Sequence, residues 1–102
     1  MTVRNRRLLD LAHEAPCFAD FPHTCEAWQG CEPAHSDSQV FGRGHGHKSN
    51  DWAFAAMCHP AHMMLNTMER DEKFWAWLRA HVKTQTWLWE NELLTVAKRR
   101  AA

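Results

Sequence analysis

His35, Asp51 and the segment Cys58-His59-Pro60-Ala61-His62 follow one another in the chain, giving in order an imidazole, a carboxylate and a group of metal ligands. Those residue types are sufficient for metal-assisted hydrolysis. An imidazole with an unperturbed pKa of about 6.5 is largely neutral at pH 7 and can take a proton from water. Cysteine and histidine together are also metal ligands, and a bound ion can stabilise developing negative charge. Five of the eight histidines, His35, His45, His47, His59 and His62, fall between residues 35 and 62. Histidines gathered around a glycine loop and a Cys-x3-His helix start read as metal binding or acid–base chemistry. His13, His23 and His81 stand outside that group and read as surface or packing residues.

The cysteines carry a second chemistry. Zinc prefers thiolate and imidazole ligands in a tetrahedron, and small domains use it in place of a large core. Cys17 and Cys25 bracket seven residues around Pro22, a loop able to bring two thiolates together. Cys58 and His62 are four residues apart and share one helical face. The expected structural zinc site is therefore Cys17, Cys25, Cys58 and His62, with Cys31, His59, His45 and His47 as alternates. The competing account is that the cysteines are small buried apolar residues. The sequence has no signal-peptide pattern and no apolar run of membrane-spanning length, so a cytoplasmic protein without membrane contact is expected. There, thiols are ligands or free, and two disulfides would apply only to a secreted chain.

At 102 residues the chain is expected to be one α+β domain, loop-rich and zinc-stabilised, with helices at both ends. Residues 1–16 read as an N-terminal helix, 17–68 as the metal-binding core and 69–102 as a C-terminal helical segment. Val3, Leu8, Leu9, Leu11 and Ala12 make an amphipathic stretch that Pro16 ends. From 17 to 51 the chain holds all four glycines and three of the four cysteines with little helical period. The run Trp52–Met57 suits a strand or a buried turn. Pro60 suits the first turn of a helix, and Asp71 suits an N-cap. Phe74, Trp77, Leu78, His81, Val82, Gln85 and Leu88 then recur at helical spacing, and Leu93–Ala97 suits either a last turn or a short strand. Trp75 and Trp77 cannot share a helical face, nor can Trp87 and Trp89. These rings either wrap a small core or leave a surface for a partner or a homodimer.

Twelve basic residues balance twelve acidic ones, so nucleic-acid contact requires local clusters. Arg4, Arg6 and Arg7 form one, Lys98, Arg99 and Arg100 another; as short charge runs at chain ends they also read as solubilising. Between them Gly42, Gly44 and Gly46 alternate with Arg43, His45 and His47, followed by Lys48, a loop able to approach a phosphate closely.

Arg4-Asn5-Arg6, Cys17-x7-Cys25, Gly30-Cys31-Glu32-Pro33-Ala34-His35-Ser36, Gly42-Arg43-Gly44-x-Gly46-x-Lys48-x-x-Asp51 and Cys58-x3-His62 together resemble the small HNH-type nucleases of lambdoid phages and prophages, the YbcO-like group. Through that group the chain is similar to the RecA-dependent nuclease Ref. The resemblance runs from about residue 4 to about residue 97. It implies a ββα-metal core and an endonuclease that hydrolyses DNA phosphodiester bonds in phage or prophage recombination. It implies His35 as general base, Asp51 as the residue holding the loop and orienting the base, and His62 as ligand of a catalytic Mg²⁺, Mn²⁺ or similar ion. Arg43, Lys48 and the N-terminal arginines would contact DNA, Cys17, Cys25 and Cys58 would hold zinc, and a recombinase or other DNA-processing protein is the implied partner. Ala61 stands where relatives carry the second cysteine of Cys-x-x-Cys-His. The fourth zinc ligand then falls to His59, His62 or Cys31; if His62 is used, the catalytic ion falls to His45, His47 or the substrate. A non-catalytic zinc module that binds DNA or protein is the alternative function.

Overall fold

The computed structural model describes residues 3–38 and 50–97. Asn5 opens the first element, its side-chain oxygen accepting from Leu8 N–H at 3.1 Å as a short polar side chain does for the unpaired donors of a helix start. Helix α1 (Arg6–Asp10) tightens into a 3-10 turn, Leu11–Glu14. Ala15, ahead of Pro16, is extended at ψ 153°, the conformation a following proline imposes.

Strands β1 (Glu32–His35) and β2 (Phe54–Met57) pair antiparallel, from Glu32 opposite Met57 to His35 opposite Phe54. β1 lies inside the stretch that reads as loop, and its Pro33 would ordinarily argue against a strand. Pro33 sits opposite Ala56, and Ala56 turns its backbone groups to the other edge. There its N–H donates to Thr84 Oγ1 at 2.9 Å and its C=O accepts from Phe18 N–H at 3.0 Å. The missing proline N–H therefore leaves nothing unpaired.

Two strands alone are marginal in water. Helix α2 (His59–Leu65) follows β2 directly, with Pro60 in its first turn, and helix α3 (Arg70–Glu90) closes the outer edge of β2. His81 Nδ1–H donates to Phe54 C=O at 2.7 Å. Thr84, three residues on and so on the same helical face, accepts from Ala56 and donates to Ala80 C=O at 2.8 Å. Trp77 Nε1–H reaches Ala34 C=O at 2.7 Å, which ties the helix to β1 as well. The 3-10 turn Leu11–Glu14 packs against both strands, and β2 is buried along its whole length.

α3 starts at Arg70, capped by the Glu69 carboxylate, and places Asp71 and Glu72 in its first turn, where negative charge meets the positive end of the helix dipole. Asp71 is thus inside the helix and not its cap. At the other end Glu92 takes φ 58° and Leu93 N–H reaches back to Leu88 C=O at 2.9 Å, a closing pattern that stops the helix. Residues 93–97 are neither helix nor strand. Of the tryptophan pairs, Trp77 is buried, Trp87 half-buried, and Trp75 and Trp89 exposed. Among the described residues sixteen apolar side chains are buried, and nine of them are alanine. Alanine lets backbones approach closely, but each methyl contributes only about 0.8 kcal/mol on burial. No helix among the described residues is long and apolar enough to cross a membrane.

Candidate functional site

Cys17, His23, Cys25 and Cys58 present ligand atoms that all lie within 4.8 Å of one another. Two of these residues flank a turn at Pro22, while Cys58 arrives from the junction of β2 and α2. His23 Nδ1 lies 2.7 Å from Phe21 C=O. A carbonyl can only accept, so Nδ1 carries the proton and Nε2 keeps its lone pair facing the sulfurs, 3.6 Å from Cys17 Sγ. Metal-binding histidines are commonly oriented by such a backbone acceptor. Cys58 N–H donates to Cys17 Sγ at 3.3 Å. Burial raises the Cys58 thiol, but backbone N–H groups of Glu26 and Ala61 and the thiols of Cys17 and Cys25 outweigh it and bring it below its ordinary value. Burial dominates at Cys17 and raises it. Three thiols and one imidazole are the donor set that zinc prefers, and the cluster could hold a structural metal such as zinc.

His62 does not join this cluster. Its Nδ1 donates to Glu32 Oε1 at 2.7 Å, and His59 Nδ1 approaches the same oxygen at 3.0 Å. The reason is register: Glu32 pairs with Met57 at the end of the sheet, so its carboxylate meets the first turn of α2. Burial pushes the Glu32 carboxyl up, and the bonds from His62 and His59 hold it below the usual carboxylate range. Cys31 stays beside the thiol cluster as a buried neutral group, its thiol pushed up to about 12 by burial first and then by the charges of Cys17, Cys58 and Cys25. Ala61 is fully buried.

His35 ends β1, half-buried, with its ring tilted against Phe54 at 6.5 Å between centroids. Burial lowers its pKa; the Asp51 carboxylate pulls the other way, while Arg4 and His62 add to the lowering. Histidine 35 therefore stays neutral and accepting at pH 7. Asp51 is buried in the turn before β2 and holds the N-terminal segment. Its carboxylate accepts from Arg4 at 3.1 Å and closely from Asn5 N–H, and its own N–H reaches Val3 C=O at 2.9 Å. Asp51 thus fixes its turn by hydrogen bonds and acts on His35 through charge.

Among the arginines expected to meet DNA, Arg4 is engaged by Asp51, Arg6 lies 3.5 Å from Asp10 on the solvent side, and Arg7 is exposed. Arg43, His45, His47 and Lys48 lie outside the described residues, as do the flanking glycines and Lys98, Arg99 and Arg100. Beside His35 opens a groove of about 790 Å³ lined by the start of α3, including Arg70, Lys73, Phe74 and Trp75.

Sequence reasoning missed His23 and Glu32. The signal for His23 was present: Cys17-x5-His23-x-Cys25 puts three ligand types within one turn-forming stretch. For Glu32 no sequence signal existed, because its role depends on strand register. Comparison with protein-family models, curated proteins and solved structures returned no match. What the fold and site define is a small α+β protein, three helices around a two-stranded sheet, with a Cys/His cluster able to take a metal.

Proposed function

We propose that the protein is a metal-dependent endonuclease of the HNH type that hydrolyses DNA phosphodiester bonds in phage or prophage DNA processing. What supports the reading is the sheet: β1 ends at His35, which pairs with Phe54 of β2 three residues after Asp51, and the charges of Asp51 and His62 both act on the His35 ring. Neutral His35 takes a proton from the attacking water as the new P–O bond forms, and the bond to the 3′ oxygen breaks. The Asp51 charge favours the imidazolium that this transfer creates. His62, its Nδ1 fixed by Glu32, keeps Nε2 as a single protein ligand, and a substrate phosphate and water would supply the oxygen ligands of Mn²⁺, Mg²⁺ or a similar ion. When bound, that ion supplies charge stabilisation at the phosphate. The thiol cluster serves architecture and takes no part in these steps.

The test is plasmid nicking with Mg²⁺, Mn²⁺, Ni²⁺ or Zn²⁺, with and without chelator, by the native chain and by His35→Ala. Metal-dependent nicking lost in the variant at unchanged circular dichroism is the expected result; full nicking by His35→Ala rules the assignment out. A non-catalytic metal-binding module is favoured by the Cys17, His23, Cys25, Cys58 cluster alone, and absence of nicking with every ion would select it.

A further inference from the structure

The chemistry of the groove beside His35 is not that of a phosphate cradle. Arg70 and Lys73 are balanced by Asp37 and Asp71 among its lining residues, and Lys73 is closely paired with Asp37. With His35 neutral the lining carries no net charge, so it offers a polyanion little long-range attraction. What it offers is ring surface. Phe74 and Trp75 meet edge to face, centroids 5.5 Å apart at 79°, and Trp75 is 58% exposed although it stands next to the buried Ala76 and Trp77. A volume of about 790 Å³ lies within the range of small-molecule sites, roughly 300–1,000 Å³, and accommodates one nucleotide. A base stacked on an exposed indole, with polar side chains at its edges, is the usual way proteins hold an unpaired nucleotide.

We propose that this groove is a subsite for the base of an unpaired nucleotide next to the bond on which His35 acts, so that the preferred substrate is single-stranded or locally opened DNA. Its placement next to a scissile bond rests on His35 acting on a nucleic-acid phosphodiester; the stacking of a base on Trp75 does not. Trp75 is the stacking platform, and Arg70 at the start of α3 faces the adjoining backbone. The exposed face of α3 also carries Val82 and Trp89, at spacings of seven residues, so a second copy of this chain is the rival occupant for Trp75.

Binding of a fluorescein-labelled 12-nucleotide oligo(dT) and of a 12-base-pair duplex would be followed by anisotropy, without added Mg²⁺ or Mn²⁺, for the native chain, Trp75→Ala, Trp75→Phe and Trp89→Ala. Loss of one stacked base corresponds to roughly a tenfold weaker single-strand affinity. The expected pattern is that loss in Trp75→Ala, partial recovery in Trp75→Phe, no change in Trp89→Ala, and an unchanged salt slope, since no phosphate contact is removed. Single-strand affinity unchanged in Trp75→Ala overturns the subsite. So does a sedimentation shift from dimer to monomer in both Trp75→Ala and Trp89→Ala, which would assign the face to a second copy. Trp75-dependent oligo(dT) binding without nicking by any ion would sink the nuclease reading and keep the subsite; nicking with Trp75-independent binding would do the reverse.

Discussion

His23 and His62 offer a direct test of which imidazole belongs to the structural metal. The structure groups His23 with the three thiols and gives His62 to Glu32. Replacing His23 by alanine removes one of four ligands, and with it the oriented Nε2 that the Phe21 carbonyl sets up. Loss of a mere orienting partner typically weakens a metal site 10- to 100-fold, so loss of the ligand should weaken zinc affinity at least about 100-fold. With zinc in excess over both dissociation constants, a 100-fold change in affinity corresponds to about 2.7 kcal/mol of folded-state stability. For a domain of this size one kcal/mol moves Tm by about 4–8 °C, so His23→Ala should melt roughly 10–20 °C below the native chain. His62→Ala, outside the thiol cluster, should keep one zinc per chain and lose only the bond to Glu32, about 1 kcal/mol or a fall of about 4–8 °C. Zinc content by elemental analysis, affinity by competition with a chromogenic chelator and Tm by calorimetry read this out. Zinc lost from His62→Ala but retained by His23→Ala would refute the geometric argument.

Thr84→Val keeps shape and removes the acceptor of Ala56 N–H in a fully buried place. An orphaned buried donor costs about 1–3 kcal/mol, so urea midpoints should fall with an unchanged m-value, and a midpoint equal to native would show that the α3 contact with the edge of β2 contributes nothing. For pH, burial lowers the pKa of His81, its bond to the Phe54 carbonyl opposing the shift. The unfolded chain then binds a proton that the folded chain resists, so this group has no effect above about pH 6.5 and reduces stability as pH falls below that value. His81→Gln, which retains an N–H donor, should flatten the stability profile below pH 6.5 relative to native, with His35 shifted in the same direction in both proteins; identical profiles from pH 7 to 5 would contradict this.

Much of the architecture was legible because it rests on local chemistry. The spacing of Trp77, His81 and Leu88 identified the inward face of α3, although Val82, expected on the same stripe, is exposed because it lies one residue past His81 on the solvent side, and the two-residue offset separated Trp77 from Trp75 as the structure does. Pro60 and Cys58 marked the start of α2. Cys17, Cys25 and Cys58 were recognisable by type alone. What stayed hidden depends on pairing between distant segments. β1 is four residues with a proline in the middle, tolerated because Ala56 spends its backbone bonds on Thr84 and Phe18. Glu32 meets α2 only through the register of that sheet. His23 lies outside the histidine-rich stretch of residues 35–62, and its companions in sequence are the cysteines on either side of it.

The thiol cluster also imposes an order of events on the chain as it is made. Cys17, His23 and Cys25 leave the ribosome together, while Cys58 follows thirty-three residues after Cys25, an interval of about 2–7 s at 5–20 residues per second. During that interval an incoming metal would meet three of the four ligands and no sheet. Cys58 follows directly on β2, which ends at Met57 and pairs with β1, so a metal held by all four residues would tie the Cys17–Cys25 stretch to the sheet and offset the ordering cost of that long loop. Without metal the same closure has to be carried by a small alanine-rich interior alone. A site of this kind ties folded-state stability to the free metal concentration, because whatever binds the folded chain alone stabilises it by mass action.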